Sequence, residues 1–146
     1  MKTTNKSKLI KQLANEFSSE LTQLPVTVLP NDDIVYEEYL IKQDNGSWEL
    51  YNIENKDLIS KFYLRSCALI AAKFYKKHQF NDYRDVRLLD RQYQKSHIDT
   101  VLHRHSIKNT DDFDKKVILL NRLECSEVDA ENYKVKISKL FKKNFV

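Results

Sequence analysis

Residues 34–53, IVYEEYLIKQDNGSWELYNI, decide the fold because they carry the clearest local signal in the chain, a β-hairpin. Ile34–Gln43 and Trp48–Ile53 are rich in β-branched and aromatic residues, which favour strands. Asn45 and Gly46 lie between them, and an Asn-Gly pair tolerates the positive φ angles of a type I′ turn. The sequence therefore predicts two antiparallel strands joined by a two-residue loop.

The same loop fixes the register of the hairpin. With Asn45 and Gly46 at the turn, the cross-strand pairs are Lys42 with Glu49, Ile41 with Leu50 and Leu40 with Tyr51. One pair of opposite charge and two apolar pairs are the combinations that stabilise neighbouring strands. Because an isolated hairpin is only marginally stable, we expect it to pack on helices through one face.

The rest of the chain favours long helices. The single glycine and both prolines lie before residue 47, so nothing after Ser47 breaks a helix. The apolar spacing predicts helices over residues 57–78 and 82–108, and a third from about residue 110 to the end, in one piece or two. The connection near residues 108–110 is so short that the second and third helices should return antiparallel as an αα-hairpin.

The N-terminal segment has an amphipathic pattern. Residues 6–24 carry an apolar helical stripe formed by Leu9, Leu13, Phe17, Leu21 and Leu24. A helix of this kind lies on a membrane or packs against protein, and the mixed charge of its polar face favours packing. Pro25 and Pro30 then predict an extended connection.

The predicted architecture is a single, mostly α-helical domain with a minor β component. It consists of an N-terminal helix and linker (residues 1–30), a β-hairpin (residues 31–56) and a helical part (residues 57–146). The helical part is expected to form a three- to four-helix bundle that contains the long antiparallel αα-hairpin and carries the β-hairpin.

Charge is distributed unevenly along the chain. The net charge is +4, yet residues 31–57 carry −6 and the part from Leu58 onward carries +8. A basic body with an acidic segment predicts either internal complementarity or a surface for an anionic partner. The 19 lysines against 6 arginines are typical of an AT-rich genome, as in streamlined bacteria, viruses or organelles.

Several functional classes find no support in the sequence. Cys67 and Cys125 lack a paired spacing and lie in apolar surroundings, which predicts two buried free thiols and a reducing compartment. No apolar run approaches the length of a membrane span, and the N-terminus lacks the apolar core of an export signal. We therefore expect a cytoplasmic protein, in the host cytoplasm or the virion if it is viral.

Metal binding and catalysis are also unsupported. On one helix, His97, His103 and His105 share no face at about 100° per residue, so they do not predict a metal site. The lone glycine excludes a phosphate-binding loop, and no serine lies in a nucleophile elbow. The sequence predicts no enzyme, no metal and no cofactor, and no small-molecule substrate is evident.

Two basic sets are candidates for phosphate contacts. Arg84, Arg87, Arg91 and Lys95 form one stripe on the second helix, opposite its apolar side, and the C-terminus carries Lys134, Lys136, Lys139, Lys142 and Lys143. Such stripes bind nucleic acid in a salt-sensitive way. An ordinary solvated helix face has the same charge pattern, and lysines near a helix C-terminus also complement the helix dipole. An acidic protein is a further candidate partner for these basic sets.

The aromatic residues of the hairpin are candidates for a protein interface. Tyr36, Tyr39, Trp48 and Tyr51 crowd a two-stranded element whose two faces one small bundle cannot easily bury. They are either ordinary cross-strand stabilisation or a docking surface, since Tyr and Trp are enriched at interfaces.

Two functions therefore remain. The first is a non-enzymatic structural or adaptor module that mediates protein–protein interaction, by self-association or within a larger viral or cellular assembly. The alternative is a small nucleic-acid-binding accessory protein that uses its basic helix faces.

Overall fold

The computed structural model describes residues 26–145 and contains a five-stranded antiparallel sheet followed by three helices. The strands are β1 (Thr27–Val28), β2 (Ile34–Tyr36), β3 (Tyr39–Asp44), β4 (Ser47–Asn52) and β5 (Leu58–Phe62). Each strand pairs with its sequence neighbour, so the strand order is the chain order. The predicted N-terminal helix over residues 6–24 lies outside the described residues.

The predicted hairpin register is confirmed. β3 and β4 pair Lys42 with Glu49, Ile41 with Leu50 and Leu40 with Tyr51. Asn45 and Gly46 have φ angles of 47° and 82°, as a type I′ turn requires. Ile41 and Leu50 are fully buried on the inner face of the sheet, while Leu40 and Tyr51 lie on the other face, because side chains alternate along a strand.

The sheet is larger than the predicted hairpin. Residues 34–43, expected as one strand, are split between β2 and β3 by a tight turn in which Glu37 has a φ of 52°. Residues 58–62, expected as the start of a helix, form β5. Leu58 and Phe62 have helical spacing, but pairing with β4 turns Ser60 and Phe62 inward and leaves Leu58 and Lys61 exposed. This pairing with the neighbouring strand overrides the helical spacing within residues 58–62.

The three helices are α1 (Arg65–Lys76), α2 (Phe80–Lys108) and α3 (Phe113–Phe145). α1 covers the inner face of the sheet, and residues 66–72 along it are all buried. Small side chains at Ala68, Ala71 and Ala72 permit this close approach. The main hydrophobic core lies between α1, the sheet and the ends of α2 and α3 nearest to them.

α2 and α3 form a long antiparallel pair, here named the helical hairpin. Nδ1 of His103 lies 3.4 Å from Oγ of Ser126, and Arg104 forms an ion pair of 3.0 Å with Glu127. At the other end of α3, Nζ of Lys73 on α1 donates to the backbone oxygen of Asn144. The end of the hairpin beside α1 is called the base, and the end with the connecting loop is called the tip. α3 is one continuous helix.

The predicted three- to four-helix bundle is wrong. Only α2 and α3 pack along their lengths, while α1 lies between them and a sheet of five strands. The apolar side chains of α1 are buried between the sheet, including β5, and the ends of α2 and α3 nearest to it, and the sequence pattern did not reveal β1 or β5. None of the helices in residues 26–145 is both long and apolar enough to cross a membrane.

A buried carboxylate joins the helical hairpin to the rest of the fold. Asp90 of α2 is 3% exposed, and its two oxygens accept the backbone N–H groups of Tyr63 at 2.8 Å and Leu64 at 3.0 Å. Leu64 precedes α1 and offers no capping side chain, so Asp90 caps α1 from another helix. Burial raises the pKa of Asp90, while the two N–H donors act in the opposite direction.

Candidate functional site

The basic stripe of α2 lies on the exposed side of the helical hairpin. Arg84, Arg91 and Lys95 are exposed, whereas Val86 on the opposite side of the helix is buried. Arg87 is half-buried, with its guanidinium 5.9 Å from the centre of the Tyr83 ring. The three exposed cations are therefore accessible to an anionic partner, and Arg87 is partly occupied by its aromatic neighbour.

The C-terminal lysines lie near the stripe along the axis of the hairpin. Lys136, Lys139, Lys142 and Lys143 are exposed and Lys134 is half-buried on α3. Because α2 and α3 are antiparallel, these lysines lie at the base, level with the first half of α2. Two basic sets that are about 40 residues apart in sequence thus meet at one end of the molecule.

The acidic segment does not mask this end within the described chain. Within residues 26–145, the acidic segment forms ion pairs between Glu37 or Glu38 and Lys76 of α1, at 3.2 and 3.3 Å. Glu49 pairs with Lys61 of the neighbouring strand at 3.6 Å. Internal complementarity is therefore local to the sheet and α1. The exposed cations of α2 and α3 do not take part in these pairs.

The aromatic residues of the predicted protein interface divide into two groups. Tyr36 and Tyr39 are buried, with their rings 6.0 Å from Phe145 and 5.9 Å from Tyr75. Burial raises the pKa of Tyr39 to about 12. These two side chains stabilise the core and are not free to dock a partner.

The other two aromatic residues are partly exposed. Trp48 is half-buried, and the guanidinium of Arg65 lies 4.9 Å from its ring centre. Tyr51 lies on the outer face of the sheet, where it lines a shallow depression with Leu40 and Ile53. The hairpin therefore offers a partner only two of its four aromatic rings.

An exposed apolar surface on α3 was not found by sequence reasoning. Val117, Val128 and Val135 are 42–53% exposed, and at about 100° per residue they lie within about 20° of one another. The buried residues Ser126 and Ile137 lie on the opposite side of the helix. We name the three valines, with the intervening Glu124 and Glu131, the outward stripe.

α3 therefore has two apolar faces. Its inner face packs on α2 and on the core, while the outward stripe has no covering element among residues 26–145. The sequence contains a signal for this second face. At helical spacing, Val117, Val128 and Val135 fall on one side of the helix. Leu119, Leu123 and Ile137 fall on the other side. α2 adds further exposed apolar side chains toward the tip, namely Ile98, Val101 and Leu102.

The histidines and cysteines do not assemble a reaction centre in the described part of the chain. His97 packs edge-on against Tyr63 and Tyr93 at 5.9 and 5.7 Å, and residues 26–145 contain no group of three potential metal ligands. Cys67 is buried as predicted. Cys125 is exposed, contrary to prediction, because none of the elements within residues 26–145 packs over that side of α3.

Comparison with known proteins adds no assignment. No protein-family model, curated protein or solved structure matches this chain. Function is therefore inferred from the surfaces of the chain itself.

Proposed function

We propose that this chain is a non-enzymatic helical interaction module that docks on protein through the outward stripe of α3. The observation that carries the proposal is the alignment of Val117, Val128 and Val135 along one exposed line of a 33-residue helix. Single exposed apolar residues are ordinary, but an aligned set rimmed by charged residues is typical of an interaction surface.

The energetics of the outward stripe favour docking. Complete burial of a valine or leucine side chain stabilises by about 1.5–3 kcal/mol, so each half-exposed valine has roughly half of that still to gain. Glu124 and Glu131 alternate with the valines and keep the free surface hydrated. A long helix that presents apolar anchors at helical spacing is a recurrent protein-recognition mode.

The proposal is tested by photo-crosslinking in cells. A photoreactive residue replaces Val128 in one variant and Arg122, which is exposed about 120° away on the same helix, in the control. We expect a discrete protein adduct from position 128 and little from position 122. Equal yields at the two positions, or no adduct at either, would contradict docking through this stripe.

A second candidate function is phosphate contact with nucleic acid through the base of the helical hairpin. The observation that favours it is that the exposed Arg84, Arg91 and Lys95 of α2 lie at the same end of the molecule as the C-terminal lysines of α3. Such a cluster neutralises several phosphates at once and gives affinity that falls steeply with salt.

Fluorescence anisotropy with labelled single- and double-stranded oligonucleotides over a salt series tests this second candidate. Reversal of two base charges, Arg91→Glu with Lys139→Glu, should weaken binding at least tenfold. The matched control reverses two exposed charges near the tip, Lys108→Glu with Lys115→Glu, and should bind as the parent does. Equal affinity of the two double variants for the oligonucleotides would contradict nucleic-acid binding through the base.

A further inference from the structure

The first described residue, Val26, lies at the base of the helical hairpin. It is 6% exposed and directly precedes the paired residues Thr27 and Val35 of β1 and β2, which places it beside Tyr36 of β2. The ring of Tyr36 lies 6.0 Å from that of Phe145, at the end of α3. The residues that precede Val26 therefore join the described fold beside the end of α3.

The outward stripe begins next to this point of entry. Phe145 is about 80° around α3 from Val135, and Val128 is 17 residues before Phe145, roughly 26 Å along the helix. The sequence predicts a helix over residues 6–24, a segment that lies outside the described residues. A helix over these 19 residues is about 28 Å long. A helix that leads back from the base along α3 is thus long enough to cover Val135 and Val128.

The point of entry also sets the alignment of such a helix with α3. Its chain runs toward the base, as that of α3 does, so the two helices are parallel and advance by the same rise per residue. With the first described residue level with the end of α3, Phe17 falls within one residue of Val135, and Ile10 falls within one residue of Val128. Phe17 and Ile10 both belong to the apolar side of the segment. Two apolar side chains therefore meet the two valines nearest to the base.

The charges match in the same alignment. Glu20 falls level with Lys139, and Lys6 falls within one residue of Glu124. Lys139 and Glu124 are exposed and lie within about 40° of each of the three valines of the outward stripe. Glu20 and Lys6 likewise lie within about 40° of the centre of the apolar side of the segment. Opposite charges therefore face one another at both ends of the apolar contact.

From these observations we propose that residues 6–24 of this chain occupy the outward stripe as a helix parallel to α3, and that a protein partner binds there by displacing them. This inference rests on the proposed function and names the regulation of its surface. Val117 lies beyond the end of the covered length, so a partner has an open point at which to begin.

The covalent link favours a contact that is populated and yet reversible. Only Pro25 separates the segment from Val26. A short linker gives an effective concentration in the millimolar range, so a contact that is weak between separate molecules is formed within one chain. A partner that covers all three valines adds the contact with Val117, which the segment does not make.

Disulfide formation in the full chain tests where the segment lies. Ile10→Cys is combined with Val128→Cys in a Cys125→Ser background, and the control combines Ile10→Cys with Asp129→Cys in the same background. Asp129 is exposed at the same level of α3 but lies about 100° farther around the helix. We expect the disulfide to form at least tenfold faster with position 128 than with position 129.

Charge exchange tests the alignment of the two helices. Glu20→Lys and Lys139→Glu each place like charges opposite one another, and each should slow the disulfide between positions 10 and 128 by about two- to fivefold. The double variant should restore the rate. A double variant that is no faster than the single ones would contradict the parallel alignment.

Photo-crosslinking in cells from position 128 tests the displacement. Phe17→Asp should free the outward stripe and raise the yield of adducts with other proteins at least threefold. Ser19→Asp is the control, because it adds the same charge about 160° around the predicted helix from Phe17, and it should leave the yield unchanged. Equal yields from the two variants would contradict displacement of the segment by a partner.

The outcomes separate this inference from the proposed function. Equal rates of disulfide formation with positions 128 and 129 overturn the segment as occupant, while adducts of position 128 with another protein leave the docking function standing. A faster disulfide with position 128, without any adduct to another protein in the parent or in Phe17→Asp, supports the segment as occupant and overturns docking on a partner.

Discussion

Replacement of Asp90 by asparagine removes the carboxylate that joins the helical hairpin to the sheet. The two oxygens of Asp90 accept the N–H groups of Tyr63 and Leu64, whereas an asparagine has one acceptor oxygen and turns its NH₂ group toward the second N–H donor. A buried N–H group without an acceptor costs about 1–3 kcal/mol, and loss of a helix cap costs about 0.5–2 kcal/mol. The neutral amide also avoids the cost of burying a charge, so we expect a net loss of about 2 kcal/mol.

Urea unfolding followed by circular dichroism measures this loss. The matched control is Asp85→Asn, because Asp85 is exposed on the same helix and its replacement should change the free energy of unfolding by no more than about 0.5 kcal/mol. Equal free energies of unfolding for the two variants would refute the assignment of Asp90 as the cap of α1.

The remaining predictions concern the core, the turn and ionisation. Phe141→Ala should lower the free energy of unfolding by about 3–5 kcal/mol because Phe141 is fully buried. The control Phe113→Ala replaces a side chain that is 76% exposed, so it should change this free energy by less than about 0.5 kcal/mol. Similar losses in the two variants would contradict the position of the core. Gly46→Ala should cost about 1–2 kcal/mol because Gly46 has a φ of 82°, and an unchanged urea midpoint would argue against the type I′ turn. Ultraviolet titration should show Tyr39 ionising near pH 12, above its ordinary pKa of 10.0. The contribution of Tyr39 to stability should therefore fall as the pH rises from about 10 to about 12. Ionisation near pH 10 would mean that this side chain is not buried. Burial also raises the pKa of Asp90 above its ordinary 3.8, so the contribution of Asp90 to stability is largest below that pH and falls as the pH rises. The difference in the free energy of unfolding between the parent and Asp90→Asn should therefore narrow from pH 4 to pH 7. A difference that widens over this range would contradict the raised pKa.

The parts of the fold that sequence predicts are those with local causes. Asn45 and Gly46 specify a turn whose geometry fixes the pairing of the adjacent strands, and the structure has that register. Similarly, residues 109–112 separate α2 from α3 with so short a connection that the helices must return on themselves. In both places a few neighbouring residues determine the outcome.

The parts that sequence missed depend on contacts made outside the segment whose pattern was read. Leu58 and Phe62 satisfy helical spacing, and only the pairing of β5 with β4 makes them a strand. The burial of Tyr36 depends on Phe145, more than one hundred residues later in the chain. The exposure of the basic stripe followed from helical periodicity, but its position beside the C-terminal lysines required the antiparallel hairpin.

The two ends of the helical hairpin differ in a way that bears on the proposed function. At the base the buried residues include Val86, Ile137 and Phe141, whereas farther along the inner face holds Ser96, Thr100 and Ser126.

The hydroxyl groups of Thr100 and Ser126 donate to carbonyls of their own helices at 2.8 and 3.0 Å, and the contact of Ser126 Oγ with Nδ1 of His103 at 3.4 Å between α2 and α3 is polar rather than apolar. In the same region Val117 and Val128 face outward. The base therefore stabilises the fold through apolar packing, while the distal half carries apolar side chains that no element within residues 26–145 covers. This distribution supports docking along α3 more strongly than the number of exposed apolar residues does, because it separates the face that holds the hairpin together from the face that remains to be covered.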